Sequence, residues 1–251
     1  ALGIEPKGRQ LNVETLFLST EKTPGAYWLQ LLVATGIAYM GLILDSTAVL
    51  IGAMLISPLM SPIVQVGMGF AIGHLHLALR AGRRLLSSIL VVILLSALTS
   101  WLAPFSQPTA QILGRTQPTI LDLVVALFCG LAAAFTTARG SKDTVTAAAG
   151  TAIAIALVPP LCVVGFGVGT GADPIRDGAS LLFVANLAAI ILVGDLFFLL
   201  TGFARTDVER LEQRVYDEDD RANALYRFAK WLPVPAPVSR SLSLRLLLPA
   251  A

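Results

Sequence analysis

Six long apolar runs, none with a Lys or Arg inside, constrain the fold of this chain more than any other feature. Each run is close to the 20 or so residues that a helix needs to cross the roughly 30 Å hydrocarbon core of a bilayer. Backbone groups in hydrocarbon must bond internally, so the runs predict transmembrane helices. They are Ala26–Leu44, Ala48–Ile72, Leu85–Ala103, Ile120–Ala138, Val145–Val168 and Ala179–Phe203.

Composition agrees with this interpretation. Hydrophobic residues make up 55% of the chain and charged residues 14%, whereas soluble domains carry roughly 25% charged residues. So few charges cannot cover a water-facing surface, which excludes an ordinary soluble domain. We predict an all-α, polytopic membrane helical bundle of about six spans.

Basic residues fall almost entirely on one side if the six runs cross the membrane alternately. Of the 18 Lys and Arg residues, only Arg115 and Arg176 lie in loops on the side away from the N-terminus. Cytoplasmic loops carry the excess of basic residues, so both termini are predicted to be cytoplasmic. The chain then divides into an N-terminal segment (1–25), a transmembrane domain (26–203) and a C-terminal helix with a Pro-containing tail (204–251).

An internal repeat links the two halves of the membrane domain. Asp45–Gly73 aligns without a gap with Asp143–Gly171 at an offset of 98 residues, with an aspartate, a proline and four glycines in register. Shared small residues can also arise by composition alone. Each copy (about 26–103 and about 119–203) holds three spans, an odd number, so the second copy enters from the opposite side. We therefore predict two inverted three-helix repeats, a recurring plan of secondary transporters.

Prolines interrupt the second helix of each copy. Pro58 and Pro62 lie in the first copy, and Pro159 and Pro160 in the second. Proline removes a backbone donor and clashes with the preceding turn, so we predict that both helices break within the membrane. Interrupted helices at matching places in two halves point to a transport site. A simple kink that shapes packing is the alternative.

Polar side chains near these prolines are the candidate ligand-binding residues. Asp195 is an ionisable residue within a span, which indicates a functional site, unless it lies close enough to the inner surface to reach water. Gln65 and Asn186 either contact a ligand or form interhelical hydrogen bonds. The candidate set is Ser57, Pro58, Ser61, Pro62, Gln65, Thr151, Pro159, Pro160, Asn186 and Asp195.

Charged residues at the membrane boundary form two further candidate groups. Asp45 and Asp143 start the two interrupted helices, where they either cap the helix or act as symmetry-related gates or cation sites. Arg80, Arg83 and Arg84 are expected to contact anionic lipid headgroups or a nucleotide phosphate. We find no metal-ligand cluster and no nucleophile–base pair, so we expect a protein that is not an enzyme and has neither metal nor cofactor.

These motifs also resemble a known family. The stretches Asp45–Ile63, Gly150–Leu161 and Phe183–Leu187 are similar to the motifs of the prokaryotic membrane family known as domain of unknown function 389. The resemblance covers roughly residues 38–203. It implies a multi-span protein of the bacterial inner membrane, and it implies no substrate.

The combined prediction is a transporter or channel-like protein for an unidentified small solute or ion. One alternative is a membrane-embedded sensor that binds a small cytoplasmic ligand such as a nucleotide, and another is a structural membrane oligomer. The expected partners are membrane lipids, the solute or ion, and further copies of the chain, since homo-oligomers are common. No feature predicts nucleic-acid binding.

Overall fold

The structure, a computed structural model, describes residues 6–19, 24–102, 107–139 and 144–205. Within these residues it is helical, as predicted, and contains no strand. The helices are α1 (Pro6–Ser19), α2 (Pro24–Ile43), α3 (Thr47–Ile56), α4 (Met60–Ala71), α5 (Leu75–Leu102), α6 (Ala110–Leu113), α7 (Ile120–Arg139), α8 (Thr144–Thr170) and α9 (Asp173–Leu200), followed by a 3-10 turn at Phe203–Arg205.

Four helices are long and apolar enough to cross a membrane: most of α2, and α5, α7 and α9. Helices α3 and α4 pass the same test together, which gives up to five candidate spans among the described residues. In α8, Ala156–Thr170 forms a shorter apolar stretch. These helices indicate a membrane protein with four to five candidate spans among the described residues, and the full count of six stays a prediction.

The outer surface of α5 shows why a bilayer suits this chain. Leu86, Leu90, Leu94 and Leu98 follow one another every four residues and therefore lie on one helix face. They are between 52% and 65% exposed. A continuous apolar stripe of this kind is unusual on a protein surrounded by water, whereas lipid acyl chains would cover it.

Helix α8 lies at the centre of the bundle and packs against α2, α3, α4, α5, α7 and α9. Residues 156–167 of this helix are all buried, with Leu157, Leu161, Cys162 and Phe166 no more than 1% exposed. A helix that is apolar all round is expected in such a central position. Helix α8 therefore forms the core around which the other helices pack.

Helix α1 lies across one end of the bundle and makes polar contacts there. Arg9 Nη1 donates to Gly202 O at 3.1 Å, and Asn12 Nδ2 donates to Ala138 O at 2.7 Å. Both acceptors lie at helix C-termini, where carbonyl groups lack helical partners. Leu16 O accepts a hydrogen bond from Gln65 of α4. We call this the α1 end; it gathers the ends of α7 and α9.

The loop containing α6 closes the other end. Thr109 Oγ1 donates to Leu42 O at the end of α2, at 2.6 Å, and the N–H of Gln111 donates to Asp45 Oδ1 at 2.8 Å. Gly178, in the second turn of α9, packs closely against the backbone of Thr116. This α6 end therefore gathers the end of α2 and the starts of α3 and α9.

The hairpins α4–α5 and α8–α9 share a backbone geometry at the offset of 98 residues found in the sequence. Their second helices both have 28 residues and start 98 residues apart. Each turn contains a glycine with positive φ, 75° at Gly73 and 70° at Gly171. The next N–H donates to the carbonyl five residues earlier, at 3.1 Å for His74 and 2.9 Å for Ala172. The aligned sequences thus form matching turns.

Candidate functional site at the helix break and the basic cavity

The first interrupted helix breaks between α3 and α4. Ser57 ends α3 with an extended backbone, φ −63° and ψ 127°, and α4 begins at Met60. A following proline favours this conformation, because the ring of Pro58 crowds a helical backbone at residue 57. The two helices meet at an angle of 56°. The break predicted in the first copy is therefore present.

The break predicted in the second copy is wrong, because α8 continues through Pro159 and Pro160. Pro160 corresponds to Pro62, which lies in the first turn of α4, where a missing N–H leaves no helical bond unmade. Pro58, which lies in the break itself, corresponds to Ala156. The second copy therefore lacks the proline that separates the helices of the first.

An amide from α9 replaces the backbone hydrogen bond that Pro160 cannot make. Without an N–H, Pro160 leaves the carbonyl of Ala156 without its helical partner. Asn186 Nδ2 donates to that oxygen at 3.1 Å, and Asn186 is only 4% exposed. Prolines in membrane helices are tolerated when a neighbour bonds the freed carbonyl in this way. Asn186 thus forms an interhelical hydrogen bond.

Two serines flank the first break, and their surroundings differ. The hydroxyl oxygen of Ser57 is buried and has no hydrogen-bond partner among the described residues. Ser61 accepts a hydrogen bond from Gln65 Nε2 at 3.3 Å. The same nitrogen donates to Leu16 O at 2.7 Å, so both of its N–H groups are engaged. Gln65 therefore ties α1 to α4, while Ser57 keeps unused hydrogen-bonding capacity at the break.

Helix α4 crosses α9 closely at Gly67. A Cβ added to Gly67 would lie 3.3 Å from Ile191 O and 3.4 Å from the backbone nitrogen of Asp195. The side chain of Asp195 is partly buried, and its Oδ1 is buried without a partner in the described part of the chain. An ionisable residue of α9 therefore lies beside α4, the helix that follows the break.

Helix α8 crosses α5 at the equivalent glycine, Gly165. A Cβ there would lie 2.7 Å from Ile93 O and 3.1 Å from the backbone nitrogen of Ala97. These two contact residues precede Ile191 and Asp195 by 98 positions. Each copy therefore places the same glycine against the same helix of the other copy, with alanine where the second copy has Asp195.

The space beside the α4–α9 crossing is nearly filled. A void of about 10 Å³ lies there, bordered by Ile63, Gly67, Gly130, Gly194 and Phe198 among others. Such a volume holds about one water molecule. The candidate residues of α9 are also separated, because Asn186 and Asp195 are nine residues apart and so lie on opposite helix faces. The side chain of Thr151 lies outside what the structure describes.

Asp45 lies two residues before Thr47, the first residue of α3, and does not cap this helix. Ser46 is the N-cap and accepts a hydrogen bond from the N–H of Val49 at 3.4 Å. Asp45 has a left-handed backbone with φ 52°, which aspartate tolerates better than most residues. Its carboxylate bonds to Gln111 and so fixes the α6 loop. Asp143 lies outside the described residues.

The three arginines predicted to contact lipid or an anion line one cavity of about 250 Å³ at the α1 end. Arg80, Arg83 and Arg84 lie on the first turns of α5, and each has at least one contact with another group. The guanidinium of Arg84 lies over the ring of Tyr27, with 5.7 Å from Cζ to the ring centre. The rest of the wall comes from Phe17, Trp28, Gln65, Ala81 and Ser87.

A scan against protein-family models matches residues 54–192, more than half of the chain, to the family described as domain of unknown function DUF389. The chain belongs to the DUF389 family. This confirms the family predicted from the motifs, and the match spans the break, α5, α7, α8 and most of α9. Membership assigns no activity, because the function of the family is unknown.

Among curated proteins, this DUF389 chain is similar to Uncharacterized protein MJ0678 of Methanocaldococcus jannaschii. The two are 31% identical over 176 residues, which cover 70% of this chain and 54% of that protein. The chain thus spans about half the length of the relative. No solved structure matches the chain.

Sequence reasoning about this DUF389 protein missed two features. It did not pair Asn186 with Ala156. An amide side chain in one span can bond the carbonyl that a proline frees in the preceding span, and this combination is visible in the sequence. It also did not join Gln65 to the arginine cluster. Phe17 and Trp28 of the same wall come from separate helices, and no local pattern indicates that contact.

Proposed function

We propose that this DUF389 protein moves a small solute or ion across the bacterial inner membrane, with six spans and both termini in the cytoplasm. The solute path lies between two inverted three-helix repeats, beside the break at residues 57–59. The observation that carries this proposal is the pair of equivalent crossings at Gly67 and Gly165. Inverted repeats with an interrupted helix commonly bind their substrate where the repeats meet.

The equivalent crossings support a two-fold relation between the repeats. Gly67 of the first copy packs on α9 of the second, and Gly165 of the second packs on α5 of the first. In a two-fold arrangement, each partner presents the same patch to the other. The two contacts fit that rule, because the glycines differ by 98 positions and so do the residues that they contact.

The positions of the two hairpin turns support the inversion. The turn after α4 belongs to the α1 end, because Phe17 of α1 shares a cavity with Arg80. The turn after α8 belongs to the α6 end, because Gly178 packs against Thr116 of the α6 loop. Matching hairpins that point to opposite ends are what an inverted repeat requires.

The break and Asp195 supply the polar chemistry of the proposed path. The hydroxyl of Ser57 and one carboxylate oxygen of Asp195 are buried and lack partners among the described residues. The nearly filled crossing corresponds to a closed conformation, and a transport cycle would open it by movement of one repeat against the other. The 56° joint between α3 and α4 offers a hinge for that movement.

The test is flux through liposomes that contain the purified chain, with K⁺, H⁺, Cl⁻ and phosphate as separate probes. We expect flux of at least one probe, lowered about tenfold or more by Asp195→Asn. Asp122→Asn is the control, because Asp122 is only partly buried and its carboxylate accepts a hydrogen bond from the N–H of Thr119 at 2.8 Å. Flux of no probe, or equal loss in both variants, would contradict the proposed path.

The inversion has its own test. His74→Cys and Ala172→Cys occupy matching positions in the two turns, and native Cys129 and Cys162 are both buried and can be replaced by alanine. A membrane-impermeant maleimide should label the two engineered cysteines from opposite sides of oriented vesicles. Labelling from the same side would rule out inverted repeats.

A further inference from the structure

We propose that helix α1 is a latch that holds the two repeats together in the closed conformation and must release before the path opens. Helix α1 packs against α4 of the first repeat and α7 of the second, so it lies across the line where the repeats meet. A segment fastened to both repeats opposes their relative movement. The role of the latch in transport rests on the proposed function, whereas its geometry rests on the contacts of α1 alone.

Two side chains of α1 fasten it to the second repeat. Asn12 Nδ2 donates to Ala138 O at the end of α7, at 2.7 Å, and Arg9 Nη1 donates to Gly202 O just after α9, at 3.1 Å. Carbonyls at helix C-termini lack helical partners and carry partial negative charge, which favours donors such as these. The missing side chain at Gly202 leaves room for the guanidinium, since a Cβ there would lie 2.8 Å from Arg9 Nη1.

The contact with the first repeat leads directly to the break. Gln65 of α4 donates to Leu16 O of α1 at 2.7 Å, and the same nitrogen donates to Ser61 at 3.3 Å. Ser61 lies in the first turn of α4, immediately after the break at residues 57–59. A swing of α4 about the break therefore strains the bond to α1, and an attached α1 resists that swing.

The attachment of α1 is weak enough to release while the bundle stays folded. Among the α1 side chains that the structure describes, Val13 and Phe17 are buried, whereas Leu11 is 63% exposed. An isolated helix of 14 residues is marginal in water, so α1 depends on this narrow face and a few hydrogen bonds. Segments with few buried apolar contacts open at low free energy without unfolding the core. Helix α1 therefore suits a part that detaches.

A latch and a static brace predict opposite results when the attachment is weakened. Losing a brace lowers stability and leaves the path closed, whereas losing part of a latch increases the population of the open conformation. Asn12→Ala removes one hydrogen bond that exists only in the latched state. We expect a rise of about fivefold in the open population, which corresponds to a bond of about 1 kcal/mol at 1.4 kcal/mol for each factor of ten.

The measurement is the labelling rate of a cysteine at the break. Ser57→Cys is introduced into the full chain with Cys129 and Cys162, which are both buried, replaced by alanine. A small methanethiosulfonate reagent then labels the chain in liposomes. Asn12→Ala should raise the rate about fivefold, and Val13→Ala about tenfold, because Val13 is 0% exposed and each buried CH₂ contributes about 0.8 kcal/mol. Flux through chains with native Ser57 should rise in the same variants.

Thr15→Ala is the matched control, because Thr15 is an exposed residue of the same helix, and it should change labelling less than twofold. Unchanged or slower labelling in Asn12→Ala and Val13→Ala would make α1 a brace and overturn the latch. An equal rise in Thr15→Ala would overturn it too, since any loosening of α1 would then have the same effect. Should Val13→Ala fail to fold, Asn12→Ala decides alone.

Labelling needs no transported solute, so the latch and the proposed function can fail separately. Faster labelling in Asn12→Ala without flux of any probe supports the latch and contradicts transport. Flux that is the same in all variants, with unchanged labelling, supports transport and overturns the latch.

Discussion

The two halves of the membrane domain carry the same motif, yet one helix is broken and the other is continuous. In the first half α3 and α4 meet at 56°, and in the second half α8 runs for 27 residues through two prolines. The prolines differ at two aligned positions, since Pro58 aligns with Ala156 and Ser61 aligns with Pro159. Breakage depends on where a proline falls within the helix, and not on how many prolines the helix contains.

The two crossings that join the halves differ in how closely they are packed. A Cβ on Gly165 of α8 would lie 2.7 Å from a backbone oxygen, whereas the nearest atom to a Cβ on Gly67 of α4 would be 3.3 Å away. The second half bonds its freed carbonyl through Asn186, whereas buried oxygens without partners among the described residues occur in both halves, at Ser57 and at Asp195. In the proposed transport cycle, the second half would act as the frame and the first half, which holds the break, would move.

The largest expected effect comes from filling the tighter crossing. Gly165→Ala forces a Cβ against backbone atoms of α5, which cannot move aside cheaply, so we expect a loss of about 3 kcal/mol in unfolding free energy. Gly67→Ala meets only tight van der Waals contact and should lose about 1 kcal/mol or less. Chemical unfolding in detergent measures both losses.

Gly82→Ala is the control for this pair. A Cβ at Gly82 in α5 has no neighbour within 4 Å among the residues that the structure describes, and alanine is a better helix former than glycine, so stability should stay equal or rise. Equal losses at Gly67 and Gly165 would show that the two crossings are equally tight and would remove the contrast drawn above.

The next effect tests the bond that keeps α8 continuous. Asn186→Ala leaves the carbonyl of Ala156 without a donor and should cost about 1 kcal/mol, as interhelical hydrogen bonds in membranes do. Pro160→Ala restores a backbone N–H to that carbonyl. In the Pro160→Ala background, Asn186→Ala should therefore cost markedly less, and a double-mutant cycle of unfolding free energies measures this coupling. Additive losses would mean that Asn186 acts through packing alone.

Much of the fold follows from local sequence. The apolar runs predict the helices, and the repeat at an offset of 98 residues is visible in the sequence alone. Its last aligned glycines, Gly73 and Gly171, form the matching turns, where a left-handed backbone favours glycine. Helix α4 could also be placed, since Pro62 suits the first turn of a helix.

The candidate site depends on contacts that local sequence does not record. Four prolines predict two breaks, but α8 continues through Pro160, where the amide of Asn186 in α9 bonds the carbonyl that this proline frees. Asp45 suggests a helix cap, but its carboxylate reaches Gln111, 66 residues away. The arginine cluster is plain in the sequence, whereas its aromatic walls come from α1 and α2. Each miss concerns a partner on another helix, which only tertiary packing specifies.

A smaller effect is expected when the break itself loses its proline. Pro58→Ala increases the freedom of the unfolded chain and should lower stability by about 0.5 kcal/mol. It also removes the ring that keeps Ser57 extended, so helical hydrogen bonds can extend across the break. Amide hydrogen exchange at residues 57–60 should then slow. Pro62→Ala should leave exchange there unchanged, and an unchanged rate in Pro58→Ala would mean that other contacts impose the break.

The smallest effect on stability is expected at Ser57. Its hydroxyl is buried without a partner among the described residues, so Ser57→Ala should change the unfolding free energy by no more than about 0.5 kcal/mol and can raise it. Ser100→Ala is the matched control, because Ser100 bonds the hydroxyl of buried Tyr39 at 2.8 Å and should lose about 1 kcal/mol. The path proposed above requires Ser57→Ala to alter liposome flux nonetheless. Equal destabilisation by both variants would give Ser57 a structural partner, and the break would then be part of the frame.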